Sequence, residues 1–341
     1  MPFSHKFVEV QPHLLVRKEM MGILPLIDGL VLDIDGVILD VSRSFRVAIS
    51  KTTQYYFSKI LNWGGSSTLI RPKETQLFKL AGGFNNDWEL TYGVVLFYLG
   101  KSQKFSSQNL DFLRSEGESL EEFTEKVRDL GGGLKTLEKL IFSSLPQGQQ
   151  RKVTELWRKD VIKRVFQEYY GGVDYCQRLY GFNPTLVKQK GLLNEERVLM
   201  DREKIKFFYP KVAVITGRTG KETVVALERA NLADLIPSHL VLSDDGGVLK
   251  KPNSEVLLSL GIKMQTRVGI YMGDTWDDLQ TVRNFGKIHT QMRFLSCIIS
   301  RKRSEAPIYI EGGVDILARN PNGVLSFIIK SKEMEEESGA N

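Results

Sequence analysis

The stretch Asp33-Ile34-Asp35-Gly36 sets two carboxylates two positions apart at the end of an apolar run, GLVLDI over 29–34. Residues two apart on an extended strand face the same side. As the chain turns out of the strand, both acids can converge on one small volume. Carboxylates held close together repel unless a cation neutralises them or a proton is shared. Mg²⁺, which takes oxygen ligands and keeps several waters, resolves that conflict. The competing reading is a surface turn with two solvated aspartates, because Asp and Gly are common turn residues.

Three later stretches carry compatible chemistry. In Thr216-Gly217-Arg218 a hydroxyl and an unobstructed backbone N–H stand where a helix begins, which suits a phosphate oxygen; the alternative is a helix N-cap by Thr216 or Thr219. In Lys250-Lys251-Pro252, a lysine directly before proline is biased toward extended geometry. The Lys251 ammonium can therefore point into a cleft, although most such lysines are solvated surface. In Gly273-Asp274-Thr275-Trp276-Asp277-Asp278, Asp274 and Asp278 are one helical turn apart and can lean toward one cation, while Asp277 favours the helix N-terminus.

These residues need elements to hold them. The runs KVAVIT (211–216) and VGIYM (268–272) resemble 29–34 in being apolar, rich in β-branched residues and stopped by glycine. Helical patterns follow at Glu222–Ala230 and Asp277–Phe285, and a shorter strand candidate, HLVLS (239–243), lies between. Strand, loop and helix repeated in this way predict a parallel sheet with helices on both faces, an α/β Rossmann-like fold. Ligands of such sheets bind beyond the carboxyl ends of the strands, where all four stretches fall.

The middle of the chain differs. Residues 45–61, 90–99, 120–130, 134–142 and 153–180 carry apolar residues at three-and-four spacing, with little strand-like alternation. The expected organisation is a core domain from 1–41 and 206–341, with an all-helical domain, 42–205, inserted after the first strand. Residues 102–119 are expected to be a flexible connection and the polar tail from 330 to be frayed.

Composition excludes several classes. The chain has 341 residues, 42 % of them hydrophobic, and its apolar runs are far shorter than a membrane helix needs. The N-terminus lacks the apolar block of a secretory signal. Two cysteines, Cys176 and Cys297, supply neither a disulfide framework nor a metal cluster, so a reducing cytoplasm is the default compartment. The net charge of +6 is dispersed among acids rather than gathered into a basic stripe, which argues against nucleic acid as a partner. The four histidines show no metal-ligand spacing, and the sequence leaves the oligomeric state open.

Taken in order, DxDG, T-G, K-P and GDxxxD make up a four-motif signature, and by it the chain resembles the haloacid dehalogenase-like hydrolase superfamily. The resemblance implies that Asp33 is a nucleophile forming an aspartyl-phosphate, and that Asp35 is a general acid and then base. It implies phosphate binding by Asp33, Gly36, Thr216, Gly217 and Lys251. It also implies Mg²⁺ held by Asp33, Asp274 and the backbone oxygen of Asp35, with Asp278 in support. The second aspartate of DxD points to a phosphatase or phosphomutase rather than a dehalogenase. The helical insertion resembles the type-1 cap of phosphoglycolate-phosphatase-like and β-phosphoglucomutase-like members, which accept small phosphorylated metabolites. The cap loop Gly82–Trp88 then offers Asn85, Asn86 and Asp87 as specificity residues, with helix capping as their alternative role. Phosphatase, phosphomutase and a catalytically silent phosphate-binding protein all remain open, and phosphoglycolate, a sugar phosphate and histidinol phosphate all fit as ligands.

Overall fold

The structure is a computed structural model that describes residues 6–84, 86–245 and 249–339. Its strands, in chain order, begin with β1 (Phe7–Gln11), β2 (Leu14–Arg17), β3 (Gly29–Leu32), β4 (Leu39–Asp40) and β5 (Arg197–Val198). They continue with β6 (Val212–Ile215), β7 (Val241–Leu242), β8 (Val268–Gly273), β9 (Arg293–Ile299) and β10 (Ile316–Ala318). Eight form one sheet in the order β1-β2-β10-β9-β8-β3-β6-β7, and β4 pairs with β5 separately. From β10 to β7 every neighbouring pair is parallel; β2 and β1 add an antiparallel edge.

The chain separates into two compact units, Met1–Asp40 with Arg197–Asn341, and Val41–Glu196. In the first unit, β3 and β6 are buried at every position, as expected of central parallel strands covered on both faces. Val31, Ala213 and Ile215 of these strands pack with Leu257, Leu260, Val282 and Phe285 of the following helices. Those helices, Glu255–Met264 and Trp276–Ile288, succeed β7 and β8, and Gly220–Arg229 succeeds β6. Alternating strand and helix thus gives the α/β fold expected from the sequence. The hairpin β1–β2, reversed through His13 at φ 64°, precedes the strand that carries Asp33 and is not anticipated by the apolar runs.

Among the described residues of the second unit, the regular elements are helical. Phe45–Tyr55, Asp87–Phe105, Leu120–Asp129, Gly133–Ser143, Gln147–Leu156 and Lys159–Tyr180 are its long helices. Phe45 stacks on Tyr170 at 4.1 Å, which joins the first of them to the last. Residues 102–119 are not the loose connection expected. The helix Asp87–Phe105 runs into that segment, and Leu110–Ser115 forms a further turn and a half capped by Asn109, which accepts from the N–H groups of Asp111 and Phe112. The tail also differs, since Pro321–Gly339 is one helix. No helix among the described residues is long and apolar enough to cross a membrane.

Candidate active site

The sheet order brings the chemistry together. β3 lies between β6 and β8, and Leu32 is in register with both Val214 and Met272. The residues that leave these three strands therefore emerge side by side. Asp33 follows Leu32, Thr216 follows β6, and Asp274 follows β8.

Asp33 is 3 % exposed. Its Oδ1 accepts from the N–H of Ile34 (2.7 Å) and its Oδ2 from the Lys251 ammonium (2.8 Å). Lys251, 6 % exposed, also donates to Asp278 Oδ1 at 2.8 Å, so one cation bridges two buried carboxylates. Lys250 is exposed, and the lysine directly before proline is the one that points inward. Burial pushes the Asp33 carboxyl up to about 7, against the opposing pull of Lys251, and Asp278 and Asp35 push in the same direction as burial. The two neighbouring carboxylates hold the Lys251 ammonium well above its ordinary range against burial, which alone would lower it.

Asp278 sits in the first turn of Trp276–Ile288 and forms a capping box with Thr275. Its Oδ1 accepts from Lys251 and from the hydroxyl of Tyr271 (2.6 Å). Its Oδ2 accepts from the N–H of Asp274 (3.1 Å), the N–H of Thr275 (2.9 Å) and the Thr275 hydroxyl (2.7 Å). Burial works to raise this carboxyl, but Lys251 and these donors together hold it below its ordinary value. Ligand oxygens of Asp33, Asp274 and Asp278 lie within 4.8 Å of one another. Five donors already occupy Asp278, however, so its lone pairs are committed to positioning Lys251 and the Asp274 loop rather than to a metal.

Gly36 is explained by what stands beside it. Its φ is +77°, and a Cβ there would lie 2.2 Å from Asp274 Oδ2. The Asp274 carboxylate therefore occupies the space that any side chain at 36 would need. The Gly36 N–H is used within the turn, donating to Leu39 O (2.8 Å).

Thr216 is 5 % exposed, and its hydroxyl oxygen accepts from the N–H of Arg218 (3.2 Å). The helix cap is Thr219 instead, in a capping box with Glu222, which leaves the Thr216 hydroxyl proton at the strand end with no acceptor among the described residues. Gly217 follows it at that strand end, half-buried. Asp35 meets a residue given no role from the sequence. Arg218, 2 % exposed, donates through Nε (2.8 Å) and Nη2 (2.6 Å) to Asp35 Oδ1.

Three residues were missed: Arg218, Tyr271 and Tyr309, whose hydroxyl donates to the Asp274 carbonyl at 3.0 Å. Tyr271 had a signal, being the one phenol in an aliphatic strand, since a buried Tyr hydroxyl needs a partner. For Arg218 and Tyr309 nothing local distinguishes them from surface or core residues.

The expected cap-loop residues belong to the second unit. Asn85 lies outside the described residues. Asn86 caps the helix Asp87–Phe105 by accepting from the Glu89 N–H (2.8 Å), and Asp87 pairs with Lys79 at 3.1 Å. The loop itself docks on a second glycine turn, where Gly133 N–H donates to Gly82 O (2.8 Å) and a Cβ on Gly83 would lie 2.7 Å from Gly133 Cα.

Asp33, Asp35, Asp274 and Asp278 with Lys251 and Arg218 make four carboxylates and two cations, a balance of two negative charges. That surplus, and an Asp33 carboxyl raised by burial and by its acidic neighbours, match the charge and oxygen preference of a divalent ion such as Mg²⁺.

No protein-family model matches the sequence. A phosphatase, Tt82 from Thermococcus thioreducens, superposes with a TM-score of 0.52 at 21 % identity, covering 87 % of this chain and 97 % of that one. A HAD-superfamily subfamily IA hydrolase from Geobacter sulfurreducens gives a TM-score of 0.37 at 12 % identity, over 80 % and 87 % of the two chains. In sequence, the imidazoleglycerol-phosphate dehydratase of Phytophthora nicotianae is 27 % identical over 265 residues. The match covers 77 % of this chain and 42 % of that protein, so the chain spans less than half the length of its curated relative. The chain thus shares the α/β fold of that phosphatase, as the alternation of strands and helices in its sequence implies.

Proposed function

We propose that this chain is a Mg²⁺-dependent phosphatase of small phosphate monoesters. The observation that carries the reading is the Lys251 bridge between Asp33 and Asp278, set beside an Asp35 whose second oxygen is open. Lys251 fixes the Asp33 carboxylate at the carboxyl end of the central strand and supplies a positive charge for the incoming phosphoryl group. Asp33 attacks phosphorus, the ester P–O bond breaks, and Asp35 gives its proton to the leaving oxygen. Asp35 then takes a proton from the water that cleaves the aspartyl-phosphate. Thr216 and the Gly217 N–H face the phosphoryl oxygens. Asp33, Asp274 and the Asp35 carbonyl would hold Mg²⁺, which when bound offsets charge between carboxylate and phosphate.

Among candidate substrates, an imidazole-bearing alcohol phosphate such as histidinol phosphate has a specific point in its favour. The curated relative is named for an imidazole-bearing phosphate ester. The test is phosphate release from p-nitrophenyl phosphate, histidinol phosphate, phosphoglycolate and sugar phosphates, with and without Mg²⁺, beside Asp33→Asn. Release that needs Mg²⁺ and Asp33 supports the reading. Turnover that keeps phosphate on the product, or depends on a bisphosphate activator, replaces it with a dehydratase or phosphomutase. Tight phosphate binding without any turnover replaces it with a silent binding protein.

A further inference from the structure

The antiparallel edge of the sheet, separated from β3 by three strands, encloses a second space. Register pairs Glu9 of β1 with Leu15 of β2, and Leu15 with Leu317 of β10. Phe7, two residues from Glu9, shares that face. The helix Ala306–Glu311 stands over this row, and Ala306, Pro307 and Ile310 complete the walls of a cavity of about 530 Å³. Small-molecule sites commonly measure ~300–1,000 Å³ with mostly apolar walls and a few polar groups.

Its rim is cationic. Lys302, Arg303 and Arg319 border it against one acid, Glu9. Lys302 pairs with Glu305 (3.2 Å), and Glu9 accepts from the His13 N–H (2.8 Å). The side chains of Arg303 and Arg319 have neither a hydrogen bond nor an ion pair among the described residues. A guanidinium offers a planar fork to a carboxylate, sulfonate or phosphate, while the walls exclude water only when an apolar body fills them. Inorganic phosphate satisfies the rim and leaves the walls wet. A neutral hydrophobe does the reverse.

We infer that this cavity, framed by Leu15, Leu317 and Ile310 and rimmed by Arg303 and Arg319, binds a small amphipathic anion with an aromatic or branched aliphatic body. The inference stands whether or not the chain turns over phosphate esters. The helix that roofs the cavity also carries Tyr309, which supports the Asp274 carbonyl from its other side.

The full chain is titrated with 8-anilinonaphthalene-1-sulfonate and, separately, with the neutral N-phenyl-1-naphthylamine. The expected result is saturable one-to-one sulfonate binding, weakened about tenfold by Arg303→Glu with Arg319→Glu, in line with losing one charge-assisted contact. Ala306→Phe, which fills the space, abolishes it. Melting curves check folding, and should Ala306→Phe fail to fold, the exposed arginine variants decide alone. Sulfonate affinity untouched by charge reversal overturns the inference, as does equal affinity for the neutral probe. Displacement of the dye by inorganic phosphate that persists unchanged in the double arginine variant also overturns it, because the dye would then sit in the proposed catalytic site.

Discussion

Arg218 and Asp35 form a one-sided clamp, in which two guanidinium nitrogens, at 2.8 and 2.6 Å, meet the same oxygen, Oδ1. Oδ2 of Asp35 has no partner among the described residues and is the oxygen free to carry a proton. The pair therefore orients the proposed acid and selects which of its atoms reacts.

Arg218→Met keeps much of the side-chain volume and removes the clamp. Turnover of an alkyl phosphate should fall about a hundredfold, at the low end of what a positioned acid contributes. Turnover of p-nitrophenyl phosphate, whose leaving group needs no proton, should fall much less. Equal losses on the two substrates would mean that Arg218 supports the fold rather than Asp35. Partial recovery in Arg218→Lys, with a single ammonium nitrogen in place of a fork, would fit the clamp.

Asp33→Asn should abolish phosphate release while leaving the protein folded. Burial holds the native carboxylate in an unfavourable state, and Lys251 keeps Asp278 as its partner at 2.8 Å. The metal-free variant at pH 8 should thus melt at or above the parent's temperature, a trade of stability for function. A hundredfold excess of Mg²⁺ over its dissociation constant stabilises the parent by about 2.7 kcal/mol, and the variant should show little of this. A variant melting far below the parent would contradict the argument.

The carboxyl ends of β3, β6 and β8 are legible in the sequence because central parallel strands are apolar throughout and their mouths are marked by glycine and acids. The hairpin β1–β2 is not legible. Its five- and four-residue strands carry Glu9 and Arg17, and their pairing is decided by β10, some three hundred residues away. The helical spacing puts the return from the insertion at 206, but the chain rejoins the first unit at Arg197. The two-residue strand responsible, β5, is exposed at both positions and has no apolar pattern to betray it. Asp278 was readable as an acid near the site, but its occupation by five donors depends on Tyr271 and Lys251, which only the tertiary fold supplies.

The pH dependence follows from Asp33. Its carboxyl lies near 7 in the folded chain against an ordinary 3.8, so between those values the folded state binds the extra proton. Stability of the metal-free protein should fall as pH rises from about 4 to 7. Asp278 is shifted downward and acts below that window, and Lys251, shifted upward, acts above it. Mg²⁺ must displace the Asp33 proton, so its affinity should rise over the same interval. Melting temperatures with and without Mg²⁺ at pH 5 and pH 8 check this; a Mg²⁺ increment that is larger at pH 5 refutes it.

Gly36→Ala tests the cradle of Asp274. At φ +77° the new methyl is strained by roughly 1–2 kcal/mol, and it also meets Asp274 Oδ2 at 2.2 Å. The carboxylate must move, so the Mg²⁺ concentration giving half-maximal activity should rise about tenfold, with a smaller loss at saturating metal. An unchanged metal requirement would show that Asp274 binds no ion from this position.

The roles proposed for Asp274 and Asp278 differ, and two asparagine variants separate them. In Asp278→Asn the amide cannot accept on both sides, so Lys251 and Tyr271 lose their shared acceptor in a site where Asp278 is 1 % exposed. Removing one partner of a buried ion pair costs about 3–5 kcal/mol, and Lys251, left with Asp33 alone, drifts from the phosphate position. Melting temperature and activity should both drop, and added Mg²⁺ should restore neither. In Asp274→Asn the backbone contacts to Asp278 and Tyr309 persist, so folding should survive while the metal requirement climbs. Were Asp278→Asn to fold normally and be rescued by high Mg²⁺, Asp278 would be a metal ligand after all, and the saturation of its oxygens would have to be abandoned as the reason it sits there.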